Sequence, residues 1–409
     1  MPSSLFHDLI LHGEDLFHTG YMHEALQVFE SVLAEEPQNM LALNNRGVIL
    51  HRLGMYAAAE QTFLDILRQD DANANAVVNL GSMYIEQYNM HNTEELLGRY
   101  GKCLSIQDIN EFKEKLHKIS QEIQTFNISE KTKILRVSMD VHAKNHAFES
   151  YLNEQEPTHR VMCACFANNA LYQPGLSTIF ASVLRDKDCF IDIGAHIGYF
   201  SLLGATLVGC HGQVFAFEPE EKNYRYLHDN IALNNFTHVQ AFSVALGLEN
   251  KTSKIFINAD NDAGHALWNI GRHPDYVKSR LHCSTRDVRI ASLDSLLHGA
   301  NVSDIRLINI DTCGAEFDII QGAVSTIEDK KVPYVVCGIN RFGLQQMGTS
   351  EQELRQFMGY MGYATYWIRA EAPHLVSLAP EQSVESDQDL HVLFANPAWL
   401  GEDNIVPLA

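Results

Sequence analysis

Residues 188–205 read D-C-F-I-D-I-G-A-H-I-G-Y-F-S-L-L-G-A and join two different patterns. The apolar run 189–193 is typical of a buried parallel strand, and it ends at Gly194-Ala195. A helical pattern begins near Gly198. In doubly wound α/β folds a nucleotide-sized ligand binds beyond the carboxyl end of such a strand. We therefore expect a ligand site at this turn; the alternative is a tight turn that binds nothing.

The chain beyond this stretch alternates short apolar runs with helical patterns. Strands are predicted at 213–217, 239–246, 254–258, 288–290, 306–310, 334–339, 363–368 and 390–395. Helices are predicted at 198–209, 220–235, 316–327 and 351–361. This rhythm predicts a mixed, mostly parallel sheet with helices on both faces. The final two strands have no helix between them, which predicts an antiparallel strand at the sheet edge.

The first loop favours one class of ligand. A dinucleotide site would carry Gly-x-Gly-x-x-Gly, whereas this loop begins with Asp192 and lacks one of those glycines. A carboxylate there would repel a pyrophosphate but suits S-adenosyl-L-methionine, which has an ammonium and a sulfonium and no phosphate. Glu218, after the second strand, is placed to accept hydrogen bonds from ribose hydroxyls. Because Glu218 would serve NAD equally well, a nicotinamide enzyme stays open as an alternative.

The N-terminal part of the chain repeats with a period of 34 residues. The positions that recur are Gly13, Gly47 and Gly81, then Ala25 and Ala59, then Phe29 and Phe63. Over residues 6–100 this pattern resembles tetratricopeptide repeats, which stack helix pairs into a solenoid. The concave face of such a solenoid usually binds a protein or peptide partner, although a dimerisation surface or a lid is the alternative role.

These patterns divide the chain into three parts. Residues 1–104 are expected to form the tetratricopeptide-repeat domain and residues 159–409 the α/β domain. Between them, 105–135 continues a helical pattern with Phe112 and Leu116 on one face, and 144–159 is polar up to Pro157. We therefore assign 105–158 to a helical cap and linker.

Six segments in the second half, taken together, resemble one family. They are F-I-D-I-G-A-H-I-G-Y-F-S (190–201), F-A-F-E-P (215–219), N-I-A-L-N-N (230–235), S-V-A-L-G (243–247), S-L-D-S-L-L (292–297) and I-N-I-D-T-C-G-A-E-F-D-I-I-Q-G-A (308–323). Their order resembles the FkbM-type methyltransferases over roughly residues 170–395. The resemblance implies a class I methyltransferase Rossmann-like domain, which together with the repeats gives an all-α tetratricopeptide-repeat solenoid followed by that domain. It also implies methylation of a hydroxyl on a glycan, lipid-linked or secondary-metabolite acceptor.

By the same resemblance, Asp192, Gly194, Ala195 and Gly198 contact the methionine part of S-adenosyl-L-methionine, Glu218 the ribose, and Val244-Ala245 the adenine. The full expected cofactor site is Asp192, Gly194, Ala195, His196, Gly198, Tyr199, Glu218, Pro219, Val244 and Ala245. An alcohol acceptor must also lose its proton. The candidates for this catalytic role are Asp311, at the end of a central strand, then Glu316, and His265 in the polar loop 260–268. No metal is expected.

Three positions depart from the family pattern. His196 stands where Asn is more common, Cys313 replaces an acid after Asp311, and Asn340 follows a strand that commonly ends in an acid. These replacements leave open a second function, in which a catalytically weakened domain binds the cofactor and the repeats act as a protein-interaction scaffold. Whether the acceptor atom is oxygen or nitrogen also stays open.

Composition excludes several classes of function. The formal net charge of −21 argues against binding to nucleic acid or to anionic membranes. The eight cysteines include no Cys-x-x-Cys pair, which suits a reducing compartment. Because neither a signal peptide nor a long apolar span is evident, we expect no membrane span and a cytoplasmic location.

Overall fold

The structure is a computed structural model. It describes residues 3–19, 21–53, 55–86, 90–126, 132–141, 144–298, 302, 304–369, 375–379, 381–382, 384 and 390–400. The chain divides into a first unit, Met1–Ile128 with Ser295–Asn301, and a second unit, Ser129–Asp294 with Val302–Ala409. No helix in the described ranges combines the length and the apolarity that crossing a membrane requires.

Up to residue 126 every regular element described is a helix. These are α1 (Ser3–His18), α2 (Met22–Glu35), α3 (Met40–Leu53), α4 (Tyr56–Gln69), α5 (Ala74–Glu86), α6 (Met90–Tyr100), a 3-10 turn (Gly101–Cys103) and α7 (Ile106–Phe126). Within this series α1 packs on α2, α3 on α4 and α5 on α6. The helix pairs agree with the predicted repeats.

The glycines of the 34-residue pattern mark places where an aromatic ring lies against a helix backbone. A Cβ on Gly13 would lie 2.7 Å from Phe29 Cζ, and one on Gly47 would lie 2.5 Å from Phe63 Cε1. Both rings are fully buried in one continuous apolar core. At Gly81 the ring comes instead from Phe112, whose Cζ would lie 2.9 Å from the added Cβ. Helix α7 therefore supplies the contact that the third repeat lacks.

The elements after residue 131 are mixed. The strands are β1 (Thr132–Val141), β2 (Lys144–Asn153), β3 (Cys189–Ile193), β4 (Gln213–Phe217), β5 (Val239–Phe242), β6 (Ala245–Leu246), β7 (Lys251–Ile257), β8 (Ser284–Ala291), β9 (Ile305–Ile310), β10 (Tyr334–Ile339), β11 (Ala364–Ile368), β12 (Leu375–Leu378) and β13 (Leu390–Ala395). The helices are α8 (Pro157–Ala167), α9 (Pro174–Val183), α10 (Tyr199–Val208), α11 (Glu221–Leu233), a 3-10 turn (Ile270–Arg272), α12 (Val277–Leu281), α13 (Leu293–Leu297), α14 (Glu316–Gln321), α15 (Val324–Asp329), α16 (Arg341–Gln346) and α17 (Glu351–Tyr360).

The main sheet has the order β12-β11-β13-β10-β9-β3-β4-β5. From β10 to β5 all neighbouring strands are parallel, and β3 and β10 are buried at every residue. A smaller sheet has the order β6-β8-β7. The predicted fold class, a helical region followed by an α/β domain with a mostly parallel mixed sheet, is confirmed.

The predicted antiparallel edge strand is wrong in its position. Strand β13 does run antiparallel, but it lies between β10 and β11, and the edge is formed by β12, which the sequence pattern did not predict. Strand β13 is buried at nearly every position. Its continuous apolar run fits an internal strand better than an edge strand, because both faces of an internal strand are covered.

Helix α7 lies where the helical cap was predicted, but the hairpin β1–β2 occupies most of the predicted polar linker. Helix α7 ends at Phe126, and ten residue pairs from Thr132↔Asn153 to Val141↔Lys144 form an antiparallel ladder. The strands looked polar because 14 of their 20 residues are exposed or partly exposed. The hairpin docks through two asparagines of α11: Asn230 Oδ1 accepts the Tyr151 N–H at 2.7 Å, and Asn234 Oδ1 accepts the Glu149 N–H at 2.8 Å.

Two predicted elements are each broken in two. The strand expected over 239–246 is β5 in the main sheet and β6 in the small sheet. The helix expected over 316–327 is α14 and α15, separated at Gly322. A Cβ on Gly322 would lie 2.1 Å from the Gly247 carbonyl oxygen, so the chain bends where two backbone segments meet closely. A short helix, α16, was not predicted.

Candidate active site

Two cavities meet at the carboxyl ends of β3, β4 and β9. The first has a volume of about 590 Å³. Its wall combines residues that follow these strands with Val244-Ala245 and with the loop 258–268, which we call the covering loop. The second cavity, of about 460 Å³, is lined by the start of α10 and by Met162, Tyr172 and Gln173. The residues common to both walls are Gly194, His196, Ala263 and Asp311.

Gly194 allows the strand ends to approach each other at the shared wall. It has a φ of +83°, and a Cβ there would lie 2.0 Å from the Asp311 carbonyl oxygen. Gly198 has a φ of +96° and packs against Leu227 of α11, so it lines neither cavity. Both positions require glycine because of backbone conformation and space. Only Gly194 borders the space where a ligand could lie.

Asp192 is a buried bridge between neighbouring elements. Its Oδ2 accepts the hydroxyl of Ser201 on α10 at 2.5 Å, and its Oδ1 accepts from Asn309 Nδ2 on β9 at 2.8 Å. Burial raises the pKa of Asp192 to about 6. Asp192 and Asn309 both line the second cavity. The Asn309 Oδ1 is buried and has no partner within the described part of the chain, so it leaves an unused acceptor here.

Glu218 lies at the wall of the first cavity. Its two oxygens accept the backbone N–H groups of His196 at 2.9 Å and of Glu220 at 2.8 Å. Burial raises the pKa of Glu218 to about 8. Each carboxylate oxygen has two lone pairs, so a capacity for further hydrogen bonds from a ligand is left.

The remaining expected cofactor residues divide between the two cavities. Pro219, Val244 and Ala245 line the first cavity, and Ala195 and Tyr199 line the second. The Tyr199 hydroxyl lies 3.0 Å from Ser177 Oγ on α9, which fixes its position. The structure thus brings nine of the ten expected cofactor residues to the cavity walls, with Gly198 behind them.

Of the three expected catalytic residues, Asp311 is the one that lines both cavities. It follows β9, and its side chain is 39% exposed. Its Oδ2 lies 3.4 Å from Nε2 of His391 on β13, a residue that sequence reasoning missed. Because β13 was expected at the sheet edge, no sequence signal could place His391 here.

Glu316 has a different environment from the one expected. It is fully buried and lines neither cavity. Its Oε1 accepts the backbone N–H groups of Gly314 at 2.8 Å and of Thr312 at 3.2 Å. Burial raises the pKa of Glu316 to about 7. This geometry argues for a role in holding the loop after Asp311 and against contact with a substrate.

His265 lines the first cavity, as expected, but its ring is oriented by the covering loop. The Asn258 N–H donates to His265 Nδ1 at 2.9 Å, so the neutral ring carries its proton on Nε2. Burial lowers the pKa of His265 to about 4. A neutral imidazole with a protonated Nε2 is a hydrogen-bond donor. The geometry therefore argues against the expected role of proton acceptor.

A cluster of His159, His196 and Asp262 adjoins the site and was not foreseen. One potential ligand atom from each residue lies within 4.8 Å of the others. However, His159 Nδ1 accepts the Asn153 N–H at 2.9 Å, so the neutral His159 ring carries its proton on Nε2, the atom that faces Asp262. A metal would require that nitrogen without its proton. The cluster is therefore better described as one carboxylate that is hydrogen-bonded to His196 at 3.1 Å, with His159 Nε2 3.6 Å away.

The covering loop is tied down at several points. Asp262 Oδ1 accepts the Thr158 N–H at 2.8 Å, and Asn223 Nδ2 donates to the Asp262 carbonyl at 2.9 Å. Trp268 Nε1 donates to the Cys313 carbonyl at 2.7 Å. These contacts hold the loop over both cavities, although the loop contains no helix or strand. Because such contacts leave no periodic pattern in the sequence, the sequence predicted only a polar loop.

Two departures from the family pattern have local structural roles. Cys313 adopts a left-handed conformation, with φ at +57°, in the loop that Glu316 holds. Asn340 caps α16, because its Oδ1 accepts the Gly343 N–H at 2.6 Å. Neither position supplies a carboxylate to the cavities.

Comparison with known proteins gives a family for the second unit. Residues 192–365 match the model of the methyltransferase FkbM domain. Every residue that lines the first cavity falls inside this segment. No curated protein matches the chain.

Three of the solved structures that are similar to the chain are described by their sequence identity, coverage and TM-score. The methyltransferase FkbM from Methylobacillus flagellatus KT is 14% identical with a TM-score of 0.31; the alignment covers 53% of this chain and 50% of that one, so the chain spans about half of that protein's length. The first TPR of Spaghetti (RPAP3), bound to an HSP90 peptide, is 21% identical with a TM-score of 0.27, over 30% of this chain and 97% of that one. A putative methyltransferase from Streptococcus mutans in complex with SAH is 11% identical with a TM-score of 0.31, over 55% of this chain and 98% of that one.

The family match and the described elements agree with each other. The matched segment contains β3, β4, β9 and β10, the parallel strands whose ends carry the cavities. The helices before it have the period of tetratricopeptide repeats. Residues 192–365 of this chain match the methyltransferase FkbM domain, and helix pairs with the 34-residue period typical of tetratricopeptide repeats precede them.

Proposed function

We propose that the chain is an S-adenosyl-L-methionine-dependent O-methyltransferase. The proposal depends mainly on one observation: the cavity at the ends of β3, β4 and β9 lies entirely within the segment that matches the FkbM domain. The acceptor that we propose is a hydroxyl on a glycan, a lipid-linked or a secondary-metabolite molecule. This acceptor class comes from the family resemblance.

The residues present fit the proposed cofactor. The second cavity offers the buried, unused acceptor Asn309 Oδ1 beside Asp192 and Asp311, and this acidic wall suits an ammonium group. In the first cavity Glu218 suits two ribose hydroxyls. Val244 and Ala245 provide apolar wall for an adenine. Because the two cavities share a wall, one elongated ligand can use both.

When bound, S-adenosyl-L-methionine supplies a methyl group activated by its sulfonium. The chain's own contribution is then to position the acceptor, exclude water and manage one proton. Asp311 lies on the shared wall and is partly exposed, so it can accept a hydrogen bond from the acceptor hydroxyl. The covering loop, held by Asp262 and Trp268, limits access of water.

Native mass spectrometry of the full chain tests the choice of cofactor. After incubation with equal amounts of S-adenosyl-L-methionine and NAD, we expect an adduct with one S-adenosyl-L-methionine molecule. An adduct with NAD alone would support the nicotinamide enzyme that Glu218 also permits. The acidic residue Asp192 at the loop entrance is the reason for expecting the first result.

The competing proposal is a scaffold that binds the cofactor without catalysing methyl transfer. It is supported by Glu316, which is buried, and by Cys313, because neither residue gives a carboxylate to the cavities. Transfer of a labelled methyl group to hydroxyl compounds in a cell extract separates the two functions. We expect transfer that is lost in Asp311→Asn while cofactor binding persists. Cofactor binding without any transfer by the unmodified chain would favour the scaffold.

We also propose that the first unit binds a protein or peptide partner. Stacked helix pairs form elongated surfaces suited to this task. Leu11, Tyr21 and Leu41 are large apolar side chains exposed on these helices. A photo-crosslinker at Leu41 should capture one discrete partner from an extract, and diffuse or absent crosslinking would count against the proposal.

A further inference from the structure

His196 occupies a position that its expected cofactor role does not explain. Among the ionisable side chains that line the two cavities, His196 and Asp311 alone line both. Its backbone has a φ of +52°, a conformation that a residue with a side chain rarely adopts. Such strain persists where the surroundings impose it, and it clusters at functional sites.

The ring of His196 is held by a carboxylate of the covering loop. Nε2 lies 3.1 Å from Asp262 Oδ2, and the backbone N–H of His196 donates to Glu218 at 2.9 Å. Asp262 is fixed in turn by the Thr158 N–H, which donates to its other oxygen. Backbone and ring are therefore both restrained, which suits a side chain that must meet a reacting atom.

The ionisation state of the Asp262 carboxyl group determines which ring nitrogen of His196 carries the proton. Burial favours the neutral acid, but the hydrogen bond from His196 and the Thr158 N–H together hold the pKa of Asp262 below its usual range. An ionised carboxylate only accepts, so Nε2 of His196 must be the donor. In the neutral ring Nδ1 is then unprotonated, and within the described residues it has no partner.

The neighbouring imidazole strengthens this arrangement. His159 Nε2 lies 3.6 Å from Asp262 Oδ2, and the hydrogen bond that Nδ1 accepts from Asn153 leaves the proton on Nε2. Burial lowers the pKa of His159 to about 3, so this ring stays neutral. The imidazole beside Asp262 is therefore neutral, and the charge of Asp262 remains available to a protonated His196.

We propose that His196 is the proton acceptor for a hydroxyl substrate and that Asp262 is its positioning residue. The inference rests on the proposed methyl transfer and narrows its acceptor to an alcohol. The acceptor oxygen forms the new carbon–oxygen bond as the methyl–sulfur bond breaks, with that electron pair going to sulfur. The hydroxyl proton passes to His196 Nδ1, and the resulting imidazolium is stabilised by Asp262 until the proton leaves to solvent.

In this assignment His196 and Asp311, the two ionisable residues of the shared wall, have different roles. Imidazole is the side chain whose ordinary pKa lies nearest neutrality, so it is a better general base than a carboxylate. Asp311 then orients the acceptor hydroxyl. The titratable groups around His196 come from several elements: Asp262 and His265 in the covering loop, His159 on α8, Lys222 on α11, Glu218 after β4 and Asp311 after β9.

Nitrogen NMR of the full chain labelled in its histidines tests the proposal without a known acceptor. The His196 signals are assigned by their loss in His196→Gln, with the exposed His211→Gln as the matched control. In the unmodified chain we expect the neutral ring to carry its proton on Nε2 and none on Nδ1. We also expect the Nδ1 signal to shift when S-adenosylhomocysteine is added, because His196 lines both cavities.

The variant Asp262→Asn tests the positioning role. Without an ionised carboxylate 3.1 Å from the ring, Nε2 of His196 need no longer be the donor, so part of the neutral His196 rings should carry the proton on Nδ1. A proton found on Nδ1 of His196 in the unmodified chain would overturn the proposal even if Asp262→Asn fails to fold. An unchanged tautomer in a folded variant would overturn it as well.

Calorimetry with S-adenosylhomocysteine on the same samples separates this inference from the proposed function. Binding together with a protonated Nδ1 would overturn the His196 assignment alone and leave the methyltransferase proposal standing. Absence of binding would overturn both. Binding with the expected tautomer, together with a changed tautomer in Asp262→Asn, supports both.

Discussion

Glu218 combines two features that oppose each other when no ligand is bound. It is buried, which favours the neutral acid, and it accepts two backbone N–H groups, which favour the carboxylate. Burial dominates and raises its pKa to about 8. A ligand that donates further hydrogen bonds would favour the charged form. Ionisation of Glu218 is therefore unfavourable in the free protein. Hydrogen bonds donated by two ribose hydroxyls would make the ionised form more favourable.

This conflict predicts a stability that depends on pH. Because the folded-state pKa of about 8 lies above the unfolded value of 4.5, the stabilising contribution is complete below pH 4.5 and is lost as the pH rises to 8. Glu218→Gln cannot ionise and avoids this loss. The midpoint of thermal unfolding of Glu218→Gln, relative to the unmodified chain, should therefore be higher at about pH 8.5 than at about pH 5.

The exposed Glu249→Gln is the control, and its midpoint relative to the unmodified chain should be the same at both pH values. A difference for Glu218→Gln that does not change with pH would show that Glu218 is already ionised in the folded chain. Calorimetric or fluorescence melts without ligand are sufficient for this comparison.

At the residue scale the sequence predicted positions that follow strands and missed those that meet through loops. Asp192 was found because it is the one acid within an apolar run, and Glu218 and Asp311 because each follows such a run. His196 and Asp262 lie 66 residues apart and come together only through the covering loop, whose path no local pattern indicates. The tautomer that argues against His265 as a base depends on one backbone N–H, which sequence does not reveal.

Among the elements, the hairpin β1–β2 depends on the segment 230–235. Asn230 is fully buried, accepts the Tyr151 N–H at 2.7 Å and donates to the Ile197 carbonyl at 2.8 Å. One side chain thereby joins the hairpin, α11 and the loop before α10. Asn230 and Asn234 of this segment are thus explained by docking of the hairpin.

Replacing Asn230 should loosen the hairpin. Asn230→Ala leaves two buried backbone groups without their partner, at a cost of about 1–3 kcal/mol for each group. We expect faster amide hydrogen exchange over Lys144–Asn153, measured by mass spectrometry. Gln240→Ala, on the exposed side of β5, should leave that exchange unchanged. Equal protection in Asn230→Ala and the unmodified chain would contradict the docking role.

The repeat helices offer a second prediction at this scale. Gly47→Ala would place a Cβ 2.5 Å from the fully buried Phe63 ring. Because that ring has no space to move, we expect a loss of about 1–3 kcal/mol in the unfolding free energy of the first unit. Gly98→Ala, on an exposed helix surface with nothing near, should instead be neutral or stabilise by about 0.5–1 kcal/mol.

Circular dichroism at increasing urea concentration measures both variants. Equal stability of Gly47→Ala and Gly98→Ala would contradict the account of the 34-residue pattern. The first two repeats were predictable because glycine and phenylalanine recur at a fixed period. The third was not, because its ring comes from Phe112 in α7, outside that period.

Across the whole molecule, local pattern was a good guide to fold class and a poor guide to strand order. Alternating strands and helices predict a parallel sheet, and β5-β4-β3-β9-β10 are indeed parallel neighbours. The insertion of β13 between β10 and β11 depends on burial that only the assembled sheet provides. The polar hairpin was missed for the related reason that its partners are side chains distant in sequence.

The central claim is that the two cavities of the second unit bind S-adenosyl-L-methionine, and isothermal titration calorimetry of the full chain tests it most directly. We predict binding of one molecule that weakens by roughly 10- to 150-fold in Glu218→Gln, equivalent to about 1.5–3 kcal/mol for hydrogen bonds to a charged group. Glu249→Gln should bind as the unmodified chain does. No binding by the unmodified chain, or tight binding that Glu218→Gln leaves unchanged, would contradict the claim.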